Sequence, residues 1–397
     1  MTARTITCDA LVVGARCAGA ATAMLLARRG LRVLAVDRAG YGTDTLSTHA
    51  LMRGGVLQLH RWGVLPRLLE VGTPAVRTTA FHYGDEVMEI AVKPADGVDA
   101  LYAPRRTVLD SALVDAAQEA GAAIRHGHML AELTRRPDGR VRGGIVLGPD
   151  GTRVEVVAGL VVGADGANSA VARLAGAETR RVARHTSAVA YGHWSGLDVS
   201  GYSWYYREGV SAGVIPTNAG RHCVFAAVPP ERFRSELRHD PAAGYQRVLV
   251  ECSPALAASV ASARPDAGLR VFAGRRGFMR APCGPGWALV GDAGYFKDPL
   301  TAHGITDALR DAELLAEAAA RGTDAAFAEY AALRDELSMP LFEATDAIAS
   351  FGWSLDGVKH HHRALNAAMK RETAFLAARG TAPPPAATHF LQQECVP

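Results

Sequence analysis

The sequence is poor in lysine, lacks a long apolar run and shows no cysteine pairing pattern, and each lack removes a class of protein. Lysine occurs only at Lys93, Lys297, Lys359 and Lys370, so arginine carries nearly all the positive charge. With so much alanine beside it, this bias reads as the codon usage of a GC-rich genome. A formal net charge of +3 is too small to argue for a nucleic-acid surface. No run of about 18 apolar residues is present, so stable membrane insertion is not expected. The six cysteines (Cys8, Cys17, Cys223, Cys252, Cys283, Cys395) follow neither C-x-x-C nor Cys/His ligand spacing, which argues against a zinc site or a disulfide framework. The first strand begins within a few residues of Met1, leaving no room for a signal peptide, and the expected compartment is the cytoplasm.

What is present starts with the stretch from Cys8 to Asp37. An apolar run from Ala10 to Val13 ends at Gly14. A turn carrying Gly19 leads into a helix of small residues, and a second apolar run from Val33 to Val36 stops at an acid. This order predicts a β-α-β unit. The free N–H groups and positive dipole end of its helix favour a phosphate. Gly14 permits the tight turn, Gly19 lets the helix sit close to the sheet, and Asp37 is placed to accept ribose hydroxyls. An ADP-containing dinucleotide is the expected ligand. Where the G-x-G-x-x-G fingerprint has its second glycine this chain has Arg16, whose guanidinium can pair with phosphate oxygens.

Further along, residues 39–52 form a polar, turn-rich loop, and helical spacing returns at 55–62. Residues 76–83 and 87–93 alternate like strands of an antiparallel sheet, and an amphipathic helix follows at 108–120. A turn-punctuated meander occupies 124–162, and aromatic alternation over 182–228 (Tyr202, Trp204, Tyr205, Tyr206) predicts a second sheet. A strand entering at Trp287 ends at Gly291-Asp292, and a long helix starts at Gly304. The expected fold class is mixed α/β. A Rossmann-like nucleotide-binding domain (1–75, 101–180 and 270–320) interleaves with an antiparallel-sheet substrate domain (76–100 and 181–269). C-terminal helices (321–380) and a loosely ordered tail (381–397) complete the chain.

Three strand-to-turn segments end in a glycine–aspartate feature: Gly14 to Asp37, Asp165-Gly166 and Gly291-Asp292. In order and spacing they resemble the flavoproteins of the p-hydroxybenzoate hydroxylase fold, which include aromatic hydroxylases, flavin-dependent halogenases and geranylgeranyl reductases. The resemblance implies FAD as cofactor. It places Gly14, Arg16 and Gly19 at the pyrophosphate, and Asp37 with its neighbour Arg38 at the adenosine ribose. Arg106, in an R-x-x-L-D pattern, would run along the ribityl region, and Leu130 would meet adenine through its backbone. Asp165 would touch FAD, Gly291 and Asp292 would meet the ribityl and pyrophosphate groups, and Pro299, Gly304 and Ile305 would lie at the isoalloxazine ring. The last placement has a physical reason of its own: reduced flavin carries negative charge that the helix N-terminus at Gly304 would stabilise.

The resemblance implies an FAD-dependent monooxygenase acting on an aromatic or polyketide-like small molecule through a flavin C4a-hydroperoxide. The alternative is a reductase or dehydrogenase of the geranylgeranyl-reductase type, and a non-enzymatic nucleotide-binding protein is the third reading. Halogenation is disfavoured because Ser211-Ala212-Gly213-Val214-Ile215-Pro216 lacks both tryptophans of the W-x-W-x-I-P motif. No second glycine fingerprint follows a strand, so electrons would come from transiently bound NAD(P)H or from a separate flavin reductase. His49, Tyr295 and His303 are the candidate catalytic residues, because they sit in the loop after the ribose acid and around the start of the flavin-facing helix. Lys297 reads as a solvated loop lysine. The consecutive His360, His361 and His362 point three ways on a helix, so no metal site is expected.

Overall fold

The computed structural model describes residues 4–379, so the expected tail lies outside the described residues. In chain order the elements that build the site are β1 (Arg4–Val13), α1 (Cys17–Ala27), β2 (Val33–Asp37), β3 (Thr78–Tyr83), β4 (Glu86–Ala91), α2 (Arg106–Glu119), β5 (Arg153–Gly163), β6 (Ala188–Ser195), β7 (Tyr202–Arg207), β8 (Val210–Thr217), β9 (Arg221–Val228), β10 (Trp287–Leu289), α3 (Gly304–Arg321), α4 (Asp324–Ile348) and α5 (Leu355–Arg379).

The first sheet places β10, β5, β1 and β2 side by side and parallel. Its strands are covered on both faces and therefore read as continuous apolar runs. Helix α1 is buried over nearly its whole surface, as its alanines allow. It packs between the sheet, α2 and α3. Gly19 makes this possible, since a β-carbon there would stand 1.7 Å from the Gly14 carbonyl oxygen.

The second sheet runs β6-β9-β8-β7-β3-β4. Alternation sends Ala190, Val214 and Val224 into a core shared with the helices Pro241–Cys252 and Pro254–Ser262. Tyr191, Tyr202, Trp204, Ile215 and Phe225 go to the opposite face, together with Leu300 and Ala302 of the loop before α3. Trp204 and Tyr205 thus point to opposite sides, and Tyr205 stacks on His82.

Two details depart from the sequence reading. β3 pairs with β7 in parallel, so this sheet is not wholly antiparallel. The strand Arg270–Phe272, expected inside the nucleotide-binding domain, pairs with β6 of the second sheet.

Candidate functional site

The site is built on one row of the first sheet. Val36, Val13, Gly163 and Leu289 lie in register across β2, β1, β5 and β10, so all four strands end together. The row is stitched beyond the strands by three backbone bonds: Gly14 N–H to Val36 O, Ala164 N–H to Val13 O, and Val290 N–H to Gly163 O. Asp37, Gly14, Asp165 and Gly291-Asp292 therefore stand along one edge, at the carboxyl ends of the strands where open α/β sheets bind ligands. Gly14 has φ +100° and lies against Ala164 and Asp165, a place no side chain can occupy.

At the β2 end the Asp37 carboxylate accepts the Ala15 and Ala39 N–H groups, both at 2.7 Å, which clamps the acid to the glycine turn. Arg38 is exposed beside it. Arg16 caps α1 without a side-chain bond and donates to the Thr43 carbonyl and to Asp110. These groups line a crevice with Gly42 and His126. Leu130 buries its side chain with Val36 and Val146, and its segment is tied to the acid by the bond from His128 N–H to Asp37 O. A wider hollow lies on Arg140, Leu160, Cys283 and Phe327, and Gly14, Asp37, Asp165 and Asp292 do not line it.

In the middle of the row, Arg106 is buried and its guanidinium grips Asp110, four residues on. Asp110 also accepts the Cys17 N–H of α1. Asp110 was missed by the sequence reading, although the R-x-x-L-D spacing carries it. Asp165 accepts from Ser169 Oγ and from the Ala170 and Val171 N–H groups, so both oxygens cap the short helix Ala170–Ala175. Burial raises its pKa.

At the β10 end, Gly291 N–H donates to Asp311 of α3. Burial pushes the Asp292 carboxyl up to about 6, against the pull of Lys297 and Arg106. Gly304 is exposed, and a β-carbon there would meet only Asp292 Oδ1, at 3.9 Å. No side chain caps α3, whose N-terminus is open beside that acid. Pro299 opens a single turn, Pro299–Thr301, ahead of the helix, and Ile305 is buried in the first-sheet core. Asp298, also missed, holds this loop to the second sheet through Ser187 N–H at 2.6 Å and Ser187 Oγ at 2.7 Å.

The three candidate catalytic residues are all buried. Tyr295 gives its hydroxyl to the Ser338 carbonyl of α4 and packs on Phe342, so it is turned into the helical layer. His303 binds Glu372 of α5 through Nε2 at 2.6 Å. Arg310 joins Glu372, Asp307, Asp311 and Ser338 in the same network. Lys297 is no solvated loop residue: it is buried against Asp307, and desolvation lowers its pKa to about 7. Burial opposes the charge on Glu372, yet His303 and Arg310 hold its pKa down to about 2. His303, Asp307 and Glu372 offer ligand atoms within 4.8 Å of one another, but Arg310 and Lys297 already stand among them as counter-ions. His49 lies in the loop ahead of the helix Arg53–Arg61. It has φ +69°, a strained conformation costing about 1–3 kcal/mol, and its Nε2 faces His193 Nε2 of β6 at 3.1 Å.

These residues fit an FAD. The N-terminus of α1 and a ribose-type acid stand at one end of the row, and the uncapped N-terminus of α3, exposed at Gly304, stands at the other. No helix among the described residues is long and apolar enough to cross a membrane.

Comparison with known proteins agrees. The FAD binding domain family matches residues 7–334. Digeranylgeranylglycerophospholipid reductase 2 of Methanothermobacter thermautotrophicus is 30% identical over 349 residues, covering 80% of this chain and 78% of the relative. Menaquinone reductase of Mycolicibacterium smegmatis is 28% identical, covering 78% and 75%. Among solved structures, the flavin-dependent brominase Bmp2 superposes with a TM-score of 0.79 at 18% identity over 98% of both chains. PqsL of Pseudomonas aeruginosa in complex with 2-aminobenzoylacetate gives 0.74 at 20% identity, over 90% of this chain and 100% of that one. The row of strand ends, the family match and the shared fold make this chain a member of the FAD binding domain family, an FAD-dependent oxidoreductase of the p-hydroxybenzoate hydroxylase fold.

Proposed function

We propose that the protein uses FAD to reduce a carbon–carbon double bond in an apolar small molecule of the isoprenoid or prenylated-quinone class. The observation that carries this reading is the hydrophobic wall of the second sheet. Tyr202, Trp204, Ile215 and Phe225 share a cluster with Leu300 and Ala302, which lead directly into the open end of α3. Such a wall suits an apolar substrate beside the ring end of the cofactor and keeps water out. The reductase relatives that align over three quarters of their length support the same class.

Bound FAD would supply two-electron chemistry, and the chain supplies position and electrostatics. Gly14, Gly19, Arg16, Asp37 and Arg106 would hold the nucleotide half; Asp292, Pro299, Gly304 and Ile305 would hold the ring half. Electrons would come from NAD(P)H bound in passing or from a separate flavin reductase, since the parallel sheet carries one phosphate-type glycine turn among the described residues.

Oxygen insertion into an aromatic ring is the second reading, because the same dry wall would protect a reactive oxygen adduct. The test is to reduce the holoenzyme anaerobically and add a short-chain menaquinone. Reoxidation with a product that is still two hydrogens heavier after its ring has been returned to the quinone supports reduction of the double bond. A product formed only with oxygen, and one oxygen heavier, moves the assignment to monooxygenation. Neither product overturns both readings for this substrate class.

A further inference from the structure

The loop after β2, ahead of the helix Arg53–Arg61, carries a buried histidine whose partner lies 144 positions away, on β6 of the second sheet. The ring centres of His49 and His193 are 5.3 Å apart, the planes differ by 19°, and the Nε2 atoms are 3.1 Å apart. The two distances differ by about two ring radii. The rings therefore meet head to head along a nitrogen–nitrogen line, and this is a hydrogen bond, not a π stack. One Nε2 must donate and the other accept, so the two imidazoles hold opposite tautomers.

The ends of this pair differ. His49 is 1% exposed, and its Nδ1 is buried without a partner. It lies within electrostatic reach of Arg106, which in turn acts on Asp292 at the ring end of the row. His193 keeps 7% exposure and lies under a charged rim in which Arg221 and Arg105 meet Asp266, and Arg105 and Arg270 meet Asp44. The groups facing the pair are thus Arg105, Arg106, Arg270, Asp44, Asp266 and, edge-on to His193, Tyr191.

We propose that His193 and His49 form a two-imidazole relay that carries a proton from the charged rim to the buried, unpartnered Nδ1 of His49, from which it completes reduction of the double bond. The inference rests on the reductase reading above. The bookkeeping is simple: hydride addition to one carbon of the double bond requires a proton at the other. A proton binds His193 Nδ1, the Nε2 proton crosses to His49 Nε2, and the proton on His49 Nδ1 leaves for the substrate carbon; the two tautomers are then exchanged, and both must revert before the next turnover. No other reactant is consumed. Burial and the neighbouring arginines lower the basicity of both rings, His193 to about 4, so a proton that enters is readily given up.

The test uses the FAD-loaded protein labelled with nitrogen-15 at histidine, together with the variants His193→Gln and His193→Gly. Opposite tautomers for His49 and His193, with scalar coupling between their Nε2 atoms, are expected in the unaltered protein; like tautomers without coupling would overturn the relay whatever the substrate proves to be. In His193→Gln, anaerobic saturation of the side-chain double bond of short-chain menaquinone should fall at least tenfold, while FAD affinity and electron transfer to ferricyanide, which needs no proton at this site, stay within twofold. Free imidazole should restore His193→Gly. Equal loss with both acceptors, or full menaquinone activity in His193→Gln, sinks the proposal. If the unaltered protein does not reduce menaquinone, the reductase reading falls, and the proposed delivery to a double bond falls with it.

Discussion

Two buried polar regions of the molecule are built on opposite principles. Behind α3, Lys297, His303, Asp307, Arg310, Asp311 and Glu372 are sealed at 6% exposure or less, with cations and carboxylates interleaved. Between the loop after β2 and strand β6, His49 and His193 meet each other, and among the described residues neither ring is hydrogen-bonded to a carboxylate. Charges buried without pairing cost several kcal/mol, so the first region is stable only as a complete set. An imidazole pair can stay neutral and still pass a proton. The contrast separates a part that fixes α3 in place from a part that can take up and release protons.

The sharpest way to break that contrast is Arg310→Met. It leaves Asp307, Asp311 and Glu372 facing one another in a dry interior, and unfolding in urea should show a loss of about 3–5 kcal/mol. A loss under about 1 kcal/mol would mean that water reaches the network. Acid comes next. Glu372 has its pKa depressed to about 2, so its contribution is present above its unfolded value near 4.5 and disappears as pH falls from there toward 2. Thermal midpoints of Glu372→Gln should therefore start lower at neutral pH and converge on the unaltered protein in acid.

His193 responds in a different pH window. Its depressed pKa means that the unfolded chain takes up the proton first, so stability is intact above about pH 6.5 and declines toward pH 4. Allowing for its contact with solvent, the decline is about 1–2 kcal/mol. His193→Gln should flatten that part of the profile. An unchanged slope between pH 6.5 and 4 would show that this ring is not held neutral by its surroundings.

What the sequence made legible follows the same division. The row of strand ends announces itself locally, because each turn places glycine or aspartate directly after an apolar run. Gly14, Asp37, Asp165 and Asp292 therefore fall on one edge as the fold requires. His193 gives no such sign. It sits at an alternating strand position between Tyr191 and Trp194, and only the docking of the loop after β2 sets it apart. Glu372 is one acid among many on a long helix until it meets His303, 69 positions earlier. Lys297 looks solvated because it follows a turn, yet the first turn of α3 brings Asp307 against it. Arg270–Phe272 is short enough that its sheet was decided by tertiary pairing with β6 alone.

The smallest expected effect on stability is also the one that best isolates the site. At Gly304 a β-carbon would find open space, with Asp292 Oδ1 at 3.9 Å its nearest neighbour, and alanine is a better helix residue than glycine. Gly304→Ala should leave the apoprotein unchanged or more stable by about 0.5–1 kcal/mol, because the unfolded chain loses freedom and nothing in the fold is displaced. If the flat end of FAD lies on this helix terminus, the added methyl group stands between the ring and the free N–H groups, and FAD affinity should fall at least tenfold in a fluorescence titration. Arg310→Met reverses the pattern, since it damages the fold and touches no cofactor surface. Equal FAD affinity in Gly304→Ala and the unaltered protein would move the ring away from α3, and with it the reason for an open helix end beside Asp292.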